Sequence, residues 1–440
     1  MALKHPLLVR PFALLGLAAA LAGSTLGAIL LLRIQLALGP VDLLWKQVHG
    51  QAQVFGFIVP LVLGFGTYVV PRIAAGRPIR SAFALPAFVA LALAAVAAFA
   101  APFASGMAAS AIRRALALLV LSGTLAGAVC LEGSLARGRE QRGHERLLKV
   151  SLAFLVLGGL SDAAAWWLSA GQIEGDLPPG LASAAWRFAV EGFAIGMALA
   201  ISARMFSGFL GIEPALSYSP VGRATAARER VFTVAAWAWA ASVAVAGGGA
   251  LLDWPRIERI GDVLFAVGIV PISLQLGLAR TAGGPAIDRT RDRVFPFGAR
   301  AAYALLVTGA LVGAAAAAAD LAGLRVHSLW FDARRHLLTI GFLLTLIATM
   351  AGRLAPGFAG RPLALPWLRV FALVAFGASA ALRALEGVAG QWGPDELLWL
   401  SALSGPLAAA GLFALAASLG ATLLGAKKPT RAPASSPSSE

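Results

Sequence analysis

What most constrains this chain is the recurrence of long apolar stretches. Runs of about 20 residues, the length needed to cross a hydrocarbon core as a helix, occur at 12–36, 44–70, 81–103, 112–133, 150–170, 181–203, 231–252, 260–280, 298–319, 333–355, 366–388 and 396–424. They predict an all-α integral membrane protein with twelve transmembrane helices in one domain over 1–425. With 59% hydrophobic and 13% charged residues, the 440-residue chain departs far from the composition of soluble globular proteins. No cleavable-signal pattern follows the first run, which predicts a retained span.

The charged residues orient the spans. Segments such as "RGREQRGHERLLK" (137–149) and "IDRTRDR" (287–293) are strongly basic, whereas "GQIEGDLPPG" (171–180) and "GQWGPDELL" (390–398) are acidic or neutral. The positive-inside rule then predicts both termini on the cytoplasmic side. The net charge of +15 is matched to an anionic inner leaflet and implies no nucleic-acid partner. Residues 426–440, rich in Pro and Ser, read as a disordered tail. Cys130 is the lone cysteine, so neither an intramolecular disulfide nor a Cys-x-x-Cys-His haem attachment is possible.

Three segments share one pattern: "GFIVPLVLGFGTYVVPRIAAGRP" from Gly56, "GFAIGMALAISARMFSGFLGIEP" from Gly192 and "GFLLTLIATMAGRLAPGFAGRP" from Gly341. The twelfth residue after each Gly is polar (Tyr68, Arg204, Arg353), and three residues later come Pro71, Ser207 and Pro356. The copies fall on the second, sixth and tenth spans. That periodicity predicts three pseudo-symmetric four-helix arcs, approximately 1–135, 136–285 and 286–425.

Of the five histidines, His5, His144 and His327 fall outside apolar spans and read as solvated or interfacial. His49 stands 22 residues before Pro71 and His336 stands 20 before Pro356, on parallel spans. At about 1.5 Å per residue the two imidazoles differ in depth by only about 3 Å. Two neutral imidazoles at one depth are what a bis-His low-spin haem iron requires. Arg334, Arg335 and Arg383 lie near the same end and suit haem carboxylates, because a planar guanidinium pairs a carboxylate bidentately. Asp162 and Glu191 are ionisable groups within apolar runs, which makes them candidates for a proton relay. Glu191 also follows Arg187 by four residues and can pair with it.

These residues carry a resemblance. "HGQAQVFGFIVPLVLGFGTYVVPR" resembles the second helix of the heme-copper oxidase catalytic subunit, and "RRHLLTIGFLLTLIATMAGRLAPGFAGRPL" its tenth; each supplies one axial ligand of the low-spin haem there. The tenth-span segment is closer still to the late motif of the NnrS family, a twelve-span relative linked to nitric oxide and nitrosative stress. The segment from His49 matches that family's His-x-His-Glu-Met-x-Phe-Gly-Phe opening in spacing, with Gln51, Ala52 and Gln53 replacing the second His, Glu and Met. In the oxidase pattern the tenth helix has His-x-His, and here the first position is Arg334. "WRFAVEGFAIGMALAISARMF" and "RVFTVAAWAWAASVAVAGGGALL", where copper ligands are expected, contain no histidine. The resemblance therefore implies a heme-copper oxidase-like fold in a bacterial cytoplasmic membrane. It implies one noncovalent haem b held by His49 and His336, no copper, no high-spin haem and no terminal-oxidase activity, with nitric oxide or a redox protein as partner. The alternative is a cofactor-free transporter or assembly factor that kept the fold. No phosphate-binding loop, thiol cluster or His-x3-His spacing points to another chemistry.

Overall fold

A computed structural model describes residues 6–74, 78–135, 143–172, 176–216, 224–276, 292–393 and 395–425. All regular structure among them is helical, and eleven helices are long and apolar enough to cross a membrane. We label the long helices α1 (Pro6–Gln35), α2 (Leu43–Ile73), α3 (Ser81–Phe103), α4 (Gly106–Glu132), α5 (Gly143–Ser169), α6 (Pro179–Leu210), α7 (Ala226–Leu251), α8 (Pro255–Gln275), α9 (Val294–Leu321), α10 (Leu329–Ala359), α11 (Pro366–Trp392) and α12 (Ser404–Leu424). A short helix, Asp395–Ala402, leads into α12.

Helix α8 is the exception to the apolar pattern. It forms where the eighth span was expected, but Arg256, Glu258, Arg259 and Asp262 crowd its first half, so it is not among the eleven. Asp262, which its place at the start of that span assigns to the interface, is fully buried. His144 likewise departs from expectation: it is buried against α2, with Nε2 2.9 Å from the Ile73 carbonyl oxygen. His5, residues 137–142 of the first basic loop, residues 287–291 of the second and the tail at 426–440 lie outside the described residues.

Consecutive helices pack side by side, and α12 returns to α1. The three most buried spans are α2, α6 and α10, the helices that carry the repeated pattern. Each contains a π-helical segment enclosing the repeated Gly-Phe: Ala52–Ile58, Arg187–Ala194 and Leu337–Leu344. A π segment is a widened turn that re-aims the side chains before it relative to those after it, and it recurs at functional sites. In α2 Pro60 follows directly, removing one backbone donor; α6 and α10 keep the same widening without a proline, so proline is not its cause. Both α6 and α10 end on a glycine at φ 65°, Gly211 and Gly360, a left-handed cap that a side chain would strain. Between α6, α9 and α10 an aromatic column fills the interior, with Tyr303 edge-on to Phe206 at 5.6 Å and to Phe342 at 5.2 Å.

Candidate functional site

His49 sits in the last turn of the helical segment Leu43–Gln51, whose start is capped by the Asp42 carboxylate accepting from Leu44 N–H at 2.8 Å. Its Nδ1 lies 2.8 Å from the Gly23 carbonyl oxygen on α1. The imidazole can lie there because Gly27, one turn further along α1, has no side chain: a Cβ at that position would run into the ring. His336 ends the first stretch of α10, immediately before the π segment, and its Nδ1 lies 2.9 Å from the Asp332 carbonyl oxygen one turn earlier. A carbonyl oxygen can only accept, so each Nδ1 carries a proton, and in the neutral imidazole Nε2 is then the atom with the lone pair. Metal-ligating histidines are commonly fixed by this kind of Nδ1 partner.

Both rings line one cleft between α2 and α10, closed by α1 and α12, with a volume of about 250 Å³. Gly50 on α2 faces open space. The walls are mostly apolar: Val54, Phe57 and Ile58 from α2, Ile340 and Leu344 from α10, and Leu412 from α12. At the rim stand two cations. Arg383 of α11 reaches His336 Nε2 at 3.3 Å and Asp332 at 3.4 Å, and pairs with Glu386. Arg335 lies with its guanidinium 5.4 Å from the Trp186 ring centroid, and no carboxylate among the described residues pairs with it.

The other sequence candidates lie elsewhere. Arg334 does not line the cleft; it turns toward α6 and α8, 2.5 Å from Glu191 and 3.3 Å from Asp262. Arg187 completes this cluster at 2.7 Å from Asp262, 2.7 Å from Glu258 and 3.3 Å from Glu191. Glu191 is thus locked between two arginines, an arrangement that suits a fixed charge better than a relay. Asp162 of α5 is buried on the far side of α2, accepting from Gln51 Nε2 at 3.0 Å. A second cavity, more polar and of about 510 Å³, adjoins the cleft across Trp186 and Arg335 and is walled by Arg187, Glu258, Asp332 and Arg334.

Several contributors escaped the sequence reading. Gly23 and Gly27 seat the His49 ring, and their four-residue spacing is the small-x-x-x-small signal of close helix approach. Glu386 anchors Arg383 and accepts from Gln35 Nε2 of α1 at 3.1 Å, a contact 351 residues apart in the chain that no local pattern reveals. Among the described residues no group of three His, Cys, Asp or Glu side chains is placed to hold a metal ion.

A family model described as NnrS protein matches residues 8–426. No curated protein matches the chain. Among solved structures, a heme-copper terminal oxidase dimer studied by cryo-electron microscopy matches at a TM-score of 0.69 and 13% identity, over 97% of this chain and 85% of the oxidase chain. That likeness establishes a shared fold.

Proposed function

Since the chain belongs to the NnrS family and has the fold of the heme-copper oxidases, we propose that this multi-pass membrane protein binds one haem b noncovalently in the cleft between α2 and α10. His49 and His336 would hold its iron. The observation that carries this reading is the pair of imidazoles on opposite walls of one apolar cleft, each held through Nδ1 by a backbone carbonyl. That donor set fits a six-coordinate low-spin iron. Arg335 and Arg383 at the rim would meet the carboxylates of the group. Bound there, a haem b supplies a one-electron couple in a low-dielectric setting.

The chain's own residues prepare that site. Gly23 and Asp332 carbonyls orient the rings, Glu386 and Asp332 hold Arg383, and α1 and α12 supply apolar walls. No second histidine accompanies His336, since the residue two before it is Arg334, committed to Glu191 and Asp262. This supports a protein without a high-spin haem or a copper centre, serving a nitric oxide or nitrosative-stress response or membrane electron transfer. We place it in a bacterial cytoplasmic membrane with both termini inside. The burial of α2, α6 and α10 and their matched π segments support twelve spans in three arcs, with α8 as the eighth.

The test is a reduced-minus-oxidised visible spectrum of the purified protein from haem-replete cells, beside His49→Ala and His336→Ala. A sharp low-spin b-type α band, lost in both variants, is expected. A folded wild-type protein free of haem overturns the proposal and leaves the transporter or assembly-factor reading.

A further inference from the structure

On the side of α2 turned away from the cleft runs a second polar feature. Residues two apart on a helix point about 200° from each other, so Gln51 faces α5 while His49 faces α1. Gln51 Nε2 donates to Asp162 Oδ2 at 3.0 Å, and the carboxyl has no cationic partner among the described residues. The two helices are antiparallel, so one turn back from Gln51 on α2 and one turn on from Asp162 on α5 both lead toward the end where α2 begins. One turn on are Gln47 of α2 and Trp166 of α5, then Ser169 of α5 with Arg113 of α4, whose NH1 donates to the Ser169 carbonyl oxygen at 3.1 Å and reaches that of Gln172 at 3.5 Å.

The polar atoms along this line are conspicuously short of partners. Gln47 Oε1, Trp166 Nε1 and Arg113 Nε are all buried and make no hydrogen bond within the protein. Trp166 is fully buried, Gln51 and Arg113 nearly so. Buried polar groups left without protein partners are those that internal water satisfies. Three in succession between a buried carboxyl and one end of the bundle describe a water path. The charged groups on the neighbouring helices are engaged elsewhere: Arg113 of α4 with the end of α5, and Arg187 and Glu191 of α6 within their own cluster.

We propose that Asp162 is a proton-exchanging carboxyl, reached through water along Gln47, Trp166 and Arg113 from the end of the bundle where α2 begins. The ligand is a proton: the carboxylate takes it from water and returns it, with Gln51 holding Oδ2 in either state. The site lies across α2 from the haem cleft and does not depend on haem occupancy.

Infrared difference spectroscopy of the full-length protein in lipid nanodiscs tests this. As pH is lowered, wild type gains a protonated-carboxyl C=O band that shifts on transfer to D2O. The band is lost in Asp162→Asn and moves in Asp162→Glu, which also serves if the Asn variant does not fold. Trp166→Phe with Gln47→Leu keeps the band but slows its response to D2O. A band absent at every pH, unchanged in both Asp162 variants, or exchanging equally fast in the double variant overturns the proposal. Because the readout needs no haem, its failure and that of the haem reading are separable.

Discussion

Two regions meet on one turn of α10 and handle charge in opposite ways. Toward α6 and α8, Arg334 enters a cluster in which Arg187 and Arg334 face Glu191 and Asp262, two cations against two anions, all buried. Toward α2, His336 and Arg335 border an open cleft whose rim keeps a guanidinium without a carboxylate. In the first region each cation meets a carboxylate, whereas the second keeps Arg335 without one among the described residues. A helix can serve both because Arg334 and His336, two residues apart, project in nearly opposite directions.

Breaking the closed region has the largest expected effect. Arg187→Met leaves Glu191 with Arg334 alone and Asp262 with Arg334 and the more distant Arg259, and removing one partner of a buried ion pair typically costs about 3–5 kcal/mol. A clear drop in the thermal midpoint of the detergent-solubilised protein checks it. The pair Arg334→Met with Glu191→Met should cost less than Arg334→Met alone, because apolar side chains of similar volume leave no uncompensated charge. Should the double variant be the less stable of the two, the cluster is not held as a mutually neutralising unit.

Next in size is a perturbation of the open region that leaves both histidines in the chain. Gly27→Ala puts a methyl group where the His49 ring lies. Overpacking of this kind costs about 1–3 kcal/mol, and it moves the imidazole rather than removing it. The expected result is a folded protein with a weakened or shifted low-spin spectrum. A spectrum identical to wild type would mean that His49 is free to take another seat.

How legible all this was depended on distance along the chain. Eleven spans are plain from apolar length alone, and the shared cleft of His49 and His336 from their similar offsets of 22 and 20 residues to Pro71 and Pro356. Helix α8 reads ambiguously because its charges, the half-buried Glu258 and the buried Asp262, are neutralised by Arg187 some 75 residues earlier, a partnership with no local signature. Arg334 was grouped with His336 because the two are close in sequence, yet helical periodicity already turned them apart. Arg335, one residue from His336 and about 100° around the helix, was the neighbour that could share its cleft.

The finest distinction rests on that Arg335. Its side chain is exposed to the cleft rather than enclosed, so solvent screens it, and a contact to a haem carboxylate is worth about 1 kcal/mol, roughly a fivefold change in affinity. Arg335→Gln should therefore leave the low-spin band in place while speeding haem transfer to an apo acceptor protein by about that factor. Added salt should narrow the gap, since exposed charges are screened within about 10 Å at 0.1 M. Arg335→Lys should fall between the two, keeping the charge but losing the planar fork. Equal transfer rates in all three proteins would assign the carboxylates to Arg383 alone and leave Arg335 as a cation against Trp186, dividing the cleft from the more polar cavity beside it.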